Sequence, residues 1–353
     1  MTAAIDMGRG AVLERLADVC QSQGADPVAA QLDALRSWMG ADLVEVERAL
    51  CAVDARDTTV CNSARHLLAY EGKRLRPLCV ALAARVGEGF GPEARELAVA
   101  VELVHSATLL HDDVVDLGDE RRGAKTARLI YGNAGSIFGG DWLLVEALGC
   151  IRRANVPLAL ERMLDVLREM LFAESLQLDF RGKVGASTAD YFRVVEGKTA
   201  SLFRWALDSG GRAGKLEDPA CDALGRFGHH LGTAFQLIDD VLDVAGNPSV
   251  VGKRLFADLH EGKMTYPLLL AVSREKELAE LLERCLKSDE PFQRSELERS
   301  VTAALHRTGA LAESMQLAHT LSETAVKCLD DVPRGEARDA LAAVATAIVS
   351  RRK

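Results

Sequence analysis

The sequence predicts an all-α fold, a single-domain bundle, and three observations carry that reading. Apolar residues recur at three- and four-residue spacing along nearly the whole chain, as in Leu13-Leu16-Ala17-Cys20, Leu160-Leu164-Leu167-Leu171 and Ala340-Ala343-Val344-Ile348. Hairpin dipeptides flanked by alternating residues are missing, so no sheet is expected. The nine prolines are spread out, and Pro92, Pro157, Pro219 and Pro333 punctuate helical runs. The pattern amounts to roughly ten or more helices joined by short connections.

Two of these helices should lie centrally. The runs ELAVAVELVHSATLLHDDVVDL (96–117) and HHLGTAFQLIDDVLDVAG (229–246) are apolar on most sides, whereas a rim helix keeps one polar face. No low-complexity linker or composition break divides the 353 residues. A net charge of −9 disfavours a broad nucleic-acid surface, although divalent metals can reverse the local sign and let an acidic chain bind anions. The eight cysteines are scattered with no CxxC pair, which argues against a zinc site or a disulfide framework and fits a reducing, cytoplasmic setting. The N-terminal stretch carries Asp6, Arg9 and Glu14, so no signal-peptide core is expected. No run approaches the ~18 uninterrupted apolar residues of a membrane span, which leaves only peripheral membrane contact.

The chemistry concentrates in a repeated pentapeptide, Asp112-Asp113-Val114-Val115-Asp116 and Asp239-Asp240-Val241-Leu242-Asp243. On a helix, residues four apart lie one above the other, so Asp112 shares a face with Asp116 and Asp239 with Asp243. Magnesium suits such a face, because it takes one or two carboxylates and fills its remaining positions with water and phosphate oxygens. A single copy reads equally well as a solvated acidic patch. Both copies interrupt aliphatic runs, however, where carboxylates are costly unless cations accompany them. Basic groups follow or precede each motif: Gly72-Lys73-Arg74-Leu75-Arg76-Pro77, Arg121-Arg122-Gly123, Glu196-Gly197-Lys198-Thr199, Gly252-Lys253 and Glu261-Gly262-Lys263-Met264-Thr265. Arginine forks and lysine ammoniums are the usual diphosphate binders. Gly197-Lys198-Thr199 is not a Walker P-loop, since Phe192 stands where that motif requires glycine. Glu102 and His105 have the spacing of half a di-iron carboxylate site, but no second Glu-x-x-His exists.

Taken together, GKRLRP, LLHDDVVD followed by RRG, EGKTASLF, GTAFQLIDDVLD and GKRLFADLHEGKMTYPLLLA resemble the trans-isoprenyl diphosphate synthases, the polyprenyl synthetase family. The matching stretches run from Gly72 to Leu270 in family order. Residues 1–40 are not covered and are taken as a helical extension ahead of a synthase domain at 41–353. The resemblance implies the isoprenoid-synthase type of bundle around a central cavity and a homodimer. It also implies magnesium, three ions when substrate is bound. By position, Asp112, Asp116 and Asp239 would bind metal, with Asp113, Asp240 and Asp243 supporting. Arg121, Lys198 and Lys253 would hold an allylic diphosphate. Lys73, Arg76, His105 and Arg122 would hold isopentenyl diphosphate, with Lys263 nearby. Thr199, Phe235 and Gln236 would line the place where positive charge develops. Two stretches depart from the pattern: Glu71 replaces a glycine, and Ser175 and Leu176 fill the Glu174-x-x-Gln177 stretch.

The activity implied is a head-to-tail condensation of the two diphosphates. Ala107 and Thr108 sit just before the first motif, where a bulky aromatic stops chain growth early in the family, so a product longer than farnesyl is expected. Three rival readings are weaker. A terpene cyclase would replace the second DDxxD with an Asn/Ser/Glu-type triad. An HD-type phosphohydrolase built on His111-Asp112 leaves the arginine pair idle. A noncatalytic partner subunit should have lost one acidic motif.

Overall fold

The periodic apolar runs at 160–171 and 340–348 fold as helices, with prolines or glycines at most of the breaks, and the run at 13–20 lies partly outside the described residues. The computed structural model describes residues 13–14, 17–18, 21, 26–53, 56–70, 72, 74–121, 123–246, 255–285 and 291–350. Within them the helices are α1 (Asp26–Cys51), α2 (Thr59–Leu68), α3 (Leu75–Val86), α4 (Pro92–Val115), α5 (Ala127–Ala154), α6 (Ala159–Phe180), α7 (Thr188–Val195), α8 (Ser201–Ala213), α9 (Asp218–Ala245), α10 (Ala257–His260), α11 (Tyr266–Arg274), α12 (Lys276–Cys285), α13 (Pro291–Arg307), α14 (Ala310–Cys328) and α15 (Glu336–Val349). Pro92, Pro219, Pro267 and Pro291 fall in first turns, where the missing N–H costs nothing. Ser187 caps α7 reciprocally with Asp190, each side chain bonding the other residue's backbone N–H.

The fold is all-α, with one correction to the expectation of no sheet. Glu120–Arg121 (β1) and Ala124–Lys125 (β2) pair antiparallel. Strands of two residues are too short for alternation to register in a sequence. Gly123, at φ 75°, supplies the left-handed residue of the turn.

The two runs expected to be central are α4 and α9, and both are. Leu97, Val101, Leu103 and Val104 on α4 and Leu224, Phe227, Leu231 and Leu237 on α9 are fully buried. Around them α4 packs on α5, and α9 packs on α8 and α14. Glycines permit close backbone approaches to both helices. A Cβ at Gly140 would stand 3.0 Å from the Ala107 carbonyl, and one at Gly232 would stand 2.7 Å from Ala200 Cα.

α1 runs unbroken past the boundary expected after residue 40, burying Met39 and Leu43 on either side of it, and packs on α4 and α15. That position therefore lies mid-helix. α5 is long and apolar enough to cross a membrane by length and composition. It also carries Asp141 and Glu146 and buries a small-residue face of Gly135, Ser136, Gly139 and Gly140 within the bundle. Its opposite face leaves Ile137, Phe138 and Val145 exposed, and α6 leaves Leu164, Leu171 and Phe172 exposed.

Candidate active site

The first acidic motif forms the end of α4. The helix stops at Val115 and Asp116 caps it (φ −92°), yet the Asp116 N–H still donates to the Asp112 carbonyl at 2.8 Å, so the two carboxylates remain stacked. They differ from Asp113, which is 2 % exposed. Asp113 accepts from Arg121 Nε at 2.6 Å, and its other oxygen is buried with no partner among the described residues. Burial pushes the Asp113 carboxyl up, with the Arg121 guanidinium opposing. Arg121 thus reaches the site from β1 as an anchor of the motif.

Asp112 and Asp116 face cations. Lys198 Nζ lies 3.4 Å from Asp112, 2.5 Å from Glu174 and 3.2 Å from the Gln177 side-chain oxygen. Lys263 Nζ lies 2.7 Å from Asp116 Oδ2, and the Arg181 guanidinium takes Asp116 Oδ1. Burial raises the Asp116 carboxyl, but Lys263, Lys198 and Arg181 together hold it below the usual carboxylate value. Burial and the nearby Asp112 raise Glu174 instead. Burial alone would depress Lys263, and Asp116 and Glu261 outweigh it, so its ammonium is raised.

Lys198 and Thr199 belong to a single π-helical turn, Glu196–Ala200, between α7 and α8. Such a turn inserts one residue into the helical ladder and re-aims the side chains that follow, and it recurs at functional sites. Gly197 sits against α6, where a Cβ would come 2.8 Å from the Ala173 methyl. From this turn Lys198 reaches Asp112, while the Thr199 hydroxyl donates to Gln236 Oε1 at 3.0 Å on α9. Two adjacent residues therefore span the gap between the acidic motifs.

On α9, Gln236 Nε2 donates to Asp240 at 2.8 Å, and the Tyr191 hydroxyl donates to the other Asp240 oxygen at 2.6 Å. Asp240 is 2 % exposed, and burial lifts its carboxyl well above the usual range. Asp243 is also buried, and its carboxylate caps α10 by accepting from the Ala257 and Asp258 N–H groups at 3.1 and 3.3 Å. Asp239 is half-buried and near Arg76. The Arg76 guanidinium lies 4.7 Å over the Phe203 ring, with Glu102 also close. Phe235 packs against the same Phe203 ring at 5.6 Å.

His105 is half-buried on α4, and its carbonyl accepts the Thr108 hydroxyl at 2.8 Å. Ala107, expected beside a product path, is fully buried where α4 meets α5, so only Thr108 of that pair retains exposure. The His111 ring is spent on α5, within 3.1 Å of the Ile137 carbonyl and 3.3 Å of Asp141. That leaves little for the phosphohydrolase reading. Lys73, Arg122 and Lys253 lie outside the described residues.

Among the described residues no three metal-ligating side chains converge. Within the first motif the Asp112 and Asp116 side chains remain 20% and 14% exposed, whereas Asp113 is buried against Arg121. A sparse, all-oxygen set of this kind fits a hard cation that completes its shell with ligand oxygens, and not a closed protein cage.

The Polyprenyl synthetase family pattern matches residues 57–304 of the chain. The chain is 33% identical over 322 residues to heptaprenyl diphosphate synthase component 2 of Geobacillus stearothermophilus, covering 91% of this chain and 99% of that protein. It is 32% identical to the octaprenyl diphosphate synthase of Escherichia coli, again covering 91% and 99%. Among solved structures, a polyprenyl synthase from Caulobacter crescentus complexed with calcium and isoprenyl diphosphate superposes with a TM-score of 0.84 at 36% identity, covering 91% of this chain and 98% of that one.

Proposed function

The chain belongs to the polyprenyl synthetase family and is a prenyltransferase, and we propose that it adds isopentenyl diphosphate head to tail to an allylic diphosphate. The observation that carries this reading is the π-helical turn whose Lys198 reaches the first acidic motif and whose Thr199 reaches the second through Gln236. One diphosphate bound there is within reach of both.

Asp112, Asp116 and Asp239 are the proposed metal ligands, and magnesium, when bound, supplies positive charge against the departing diphosphate. Lys198 and Arg121 add fixed cations on the same side, preorganised by Glu174, Gln177 and Asp113. Gln236 is held by Asp240 so that its carbonyl oxygen points toward Thr199, and the two oxygens, with the Phe235 ring, face developing positive charge. Arg76 and His105 orient the isopentenyl partner for attack on the allylic carbon. Its proton is then lost to the departed diphosphate. The apolar walls of α4 and α9 keep water from capturing the cation.

The product is proposed to exceed farnesyl length. Thr108→Phe is expected to shorten it, read by reversed-phase chromatography of the dephosphorylated products. Unchanged length would remove Thr108 from the path. Ala107→Tyr, by contrast, would overpack the α4–α5 contact and should cost stability.

A homodimer is supported by the exposed apolar faces of α5 and α6, on which Leu171 and Phe172 are 72% and 70% exposed. Phe172→Asp is expected to shift the chain toward monomer in sedimentation analysis. The described cysteines are all unpaired, which suits the proposed cytoplasmic setting.

The reading is tested by incubating the protein with radiolabelled isopentenyl diphosphate, Mg²⁺ and each of dimethylallyl, geranyl and farnesyl diphosphate. Incorporation of label into longer products supports it. Hydrolysis of phosphoesters without such incorporation overturns it.

A further inference from the structure

Asp116 carries two cations at once, and only Lys263 belongs to the basic motifs. Its other partner, Arg181, caps the C-terminus of α6, at a position where nothing in the sequence marks an anion site. The Arg181 guanidinium takes Asp116 Oδ1, while Lys263 takes Oδ2. Arg181 Nε is buried and has no partner among the described residues. The side chain as a whole is 32% exposed, so the guanidinium borders solvent.

Two loops are joined to hold this arrangement. The Gly182 N–H donates to the Gly262 carbonyl at 2.8 Å, and Gly262 adopts φ 76°. A Cβ there would stand 3.1 Å from Gly182 N and 3.2 Å from Arg181 Cγ, so the backbones meet with no room for a side chain. Just before Gly262 the chain passes through α10, which Asp243 caps. Arg181 is thereby fixed between the first acidic motif and a segment tethered to the second.

Lys263 divides its charge between Asp116 and Glu261, the latter at 2.6 Å, whereas Asp116 is the one carboxylate paired with Arg181 among the described residues. If Asp116 turns to a metal, the guanidinium loses its carboxylate and keeps only the Val115 carbonyl, 3.4 Å from Nη1, with its buried Nε–H unpartnered among the described residues. A diphosphate oxygen satisfies both groups.

We propose that Arg181 is a further binding residue for the diphosphate, passing from Asp116 to the ligand's oxygens when metal and diphosphate are seated together. The proposal rests on the reading given under Proposed function.

The test is calorimetric titration of inorganic pyrophosphate with saturating Mg²⁺ into the full chain, the Arg181→Met variant and the Arg181→Lys variant. Loss of a charge-assisted hydrogen bond is expected to weaken binding to Arg181→Met roughly tenfold or more. Arg181→Lys should recover part of that loss, because a lysine restores the charge without the fork. Thermal denaturation without ligand separates binding from folding, since a merely structural residue would lower the melting temperature and give no rescue by lysine. Binding of pyrophosphate to Arg181→Met within twofold of the unaltered chain overturns the assignment and leaves the condensation reading intact. Failure of the unaltered chain itself to bind Mg²⁺ and pyrophosphate overturns both.

Discussion

Asp112→Asn is expected to lower kcat/KM for condensation by about 10²–10³-fold with no loss of thermal stability. Asp112 is about one-fifth exposed, and its cation partner, Lys198 at 3.4 Å, retains Glu174 at 2.5 Å when the charge is gone. Asparagine preserves the volume and one oxygen but removes the negative charge that a hard cation requires. The fold should therefore be indifferent while the chemistry is not. Asp113→Asn should behave differently, because Asp113 is buried and holds Arg121 at 2.6 Å, so its loss disturbs the geometry of the motif as well as its charge. Initial rates across a Mg²⁺ titration distinguish the two. A fall of less than tenfold for Asp112→Asn at saturating Mg²⁺ would count against a metal role for this carboxylate.

The sequence made some of this arrangement legible and concealed the rest for identifiable reasons. Helical periodicity reports the side a residue presents, so the central α4 and α9 and the stacked Asp112 and Asp116 could be read directly. Periodicity carries no information about partners distant in sequence. Glu174 and Gln177 lie in a stretch where the sequence departs from the family pattern and marks no function, yet both hold Lys198, which stands in the π-helical turn 21 residues after Gln177. Tyr191 lies 49 residues from Asp240, and nothing local marks it as the donor that fixes that carboxylate. The π-helical turn is equally silent, since one inserted residue leaves the hydrophobic pattern almost unchanged. Ala107 shows the converse limit: its position in the helix was readable, but whether its methyl meets open space or α5 depends on Gly140.

The opposite pattern, large loss of stability with activity affected through it, is expected for Arg74→Met. Arg74 stands at φ 44°, a left-handed conformation costly to an L-residue with a side chain, immediately before α3. It is held there by its contacts: Nη1 donates to Glu102 at 2.6 Å and Nε to Glu47 at 2.6 Å. Glu102 is 1 % exposed on α4, whereas Glu47 on α1 lies nearer solvent. Removing the guanidinium leaves a carboxylate buried without its partner, which costs about 3–5 kcal/mol, while Glu47→Gln should cost about 1 kcal/mol or less. Glu102 thus has a structural partner, consistent with the absence of a second Glu-x-x-His. The compensating Arg74→Met/Glu102→Leu variant removes both charges and is expected to recover most of the loss, because a buried pair replaced by apolar groups of similar volume is close to neutral. Arg76 follows two residues later, at the first turn of α3. Even the restabilised double variant should therefore show a raised KM for isopentenyl diphosphate with a smaller change for the allylic substrate. Urea unfolding measures the first effect and initial-rate kinetics the second. A single Arg74→Met variant within about 1 kcal/mol of the unaltered chain would mean that Glu102 finds another partner or a proton, and that this ion pair does not anchor the Arg76 segment to α4.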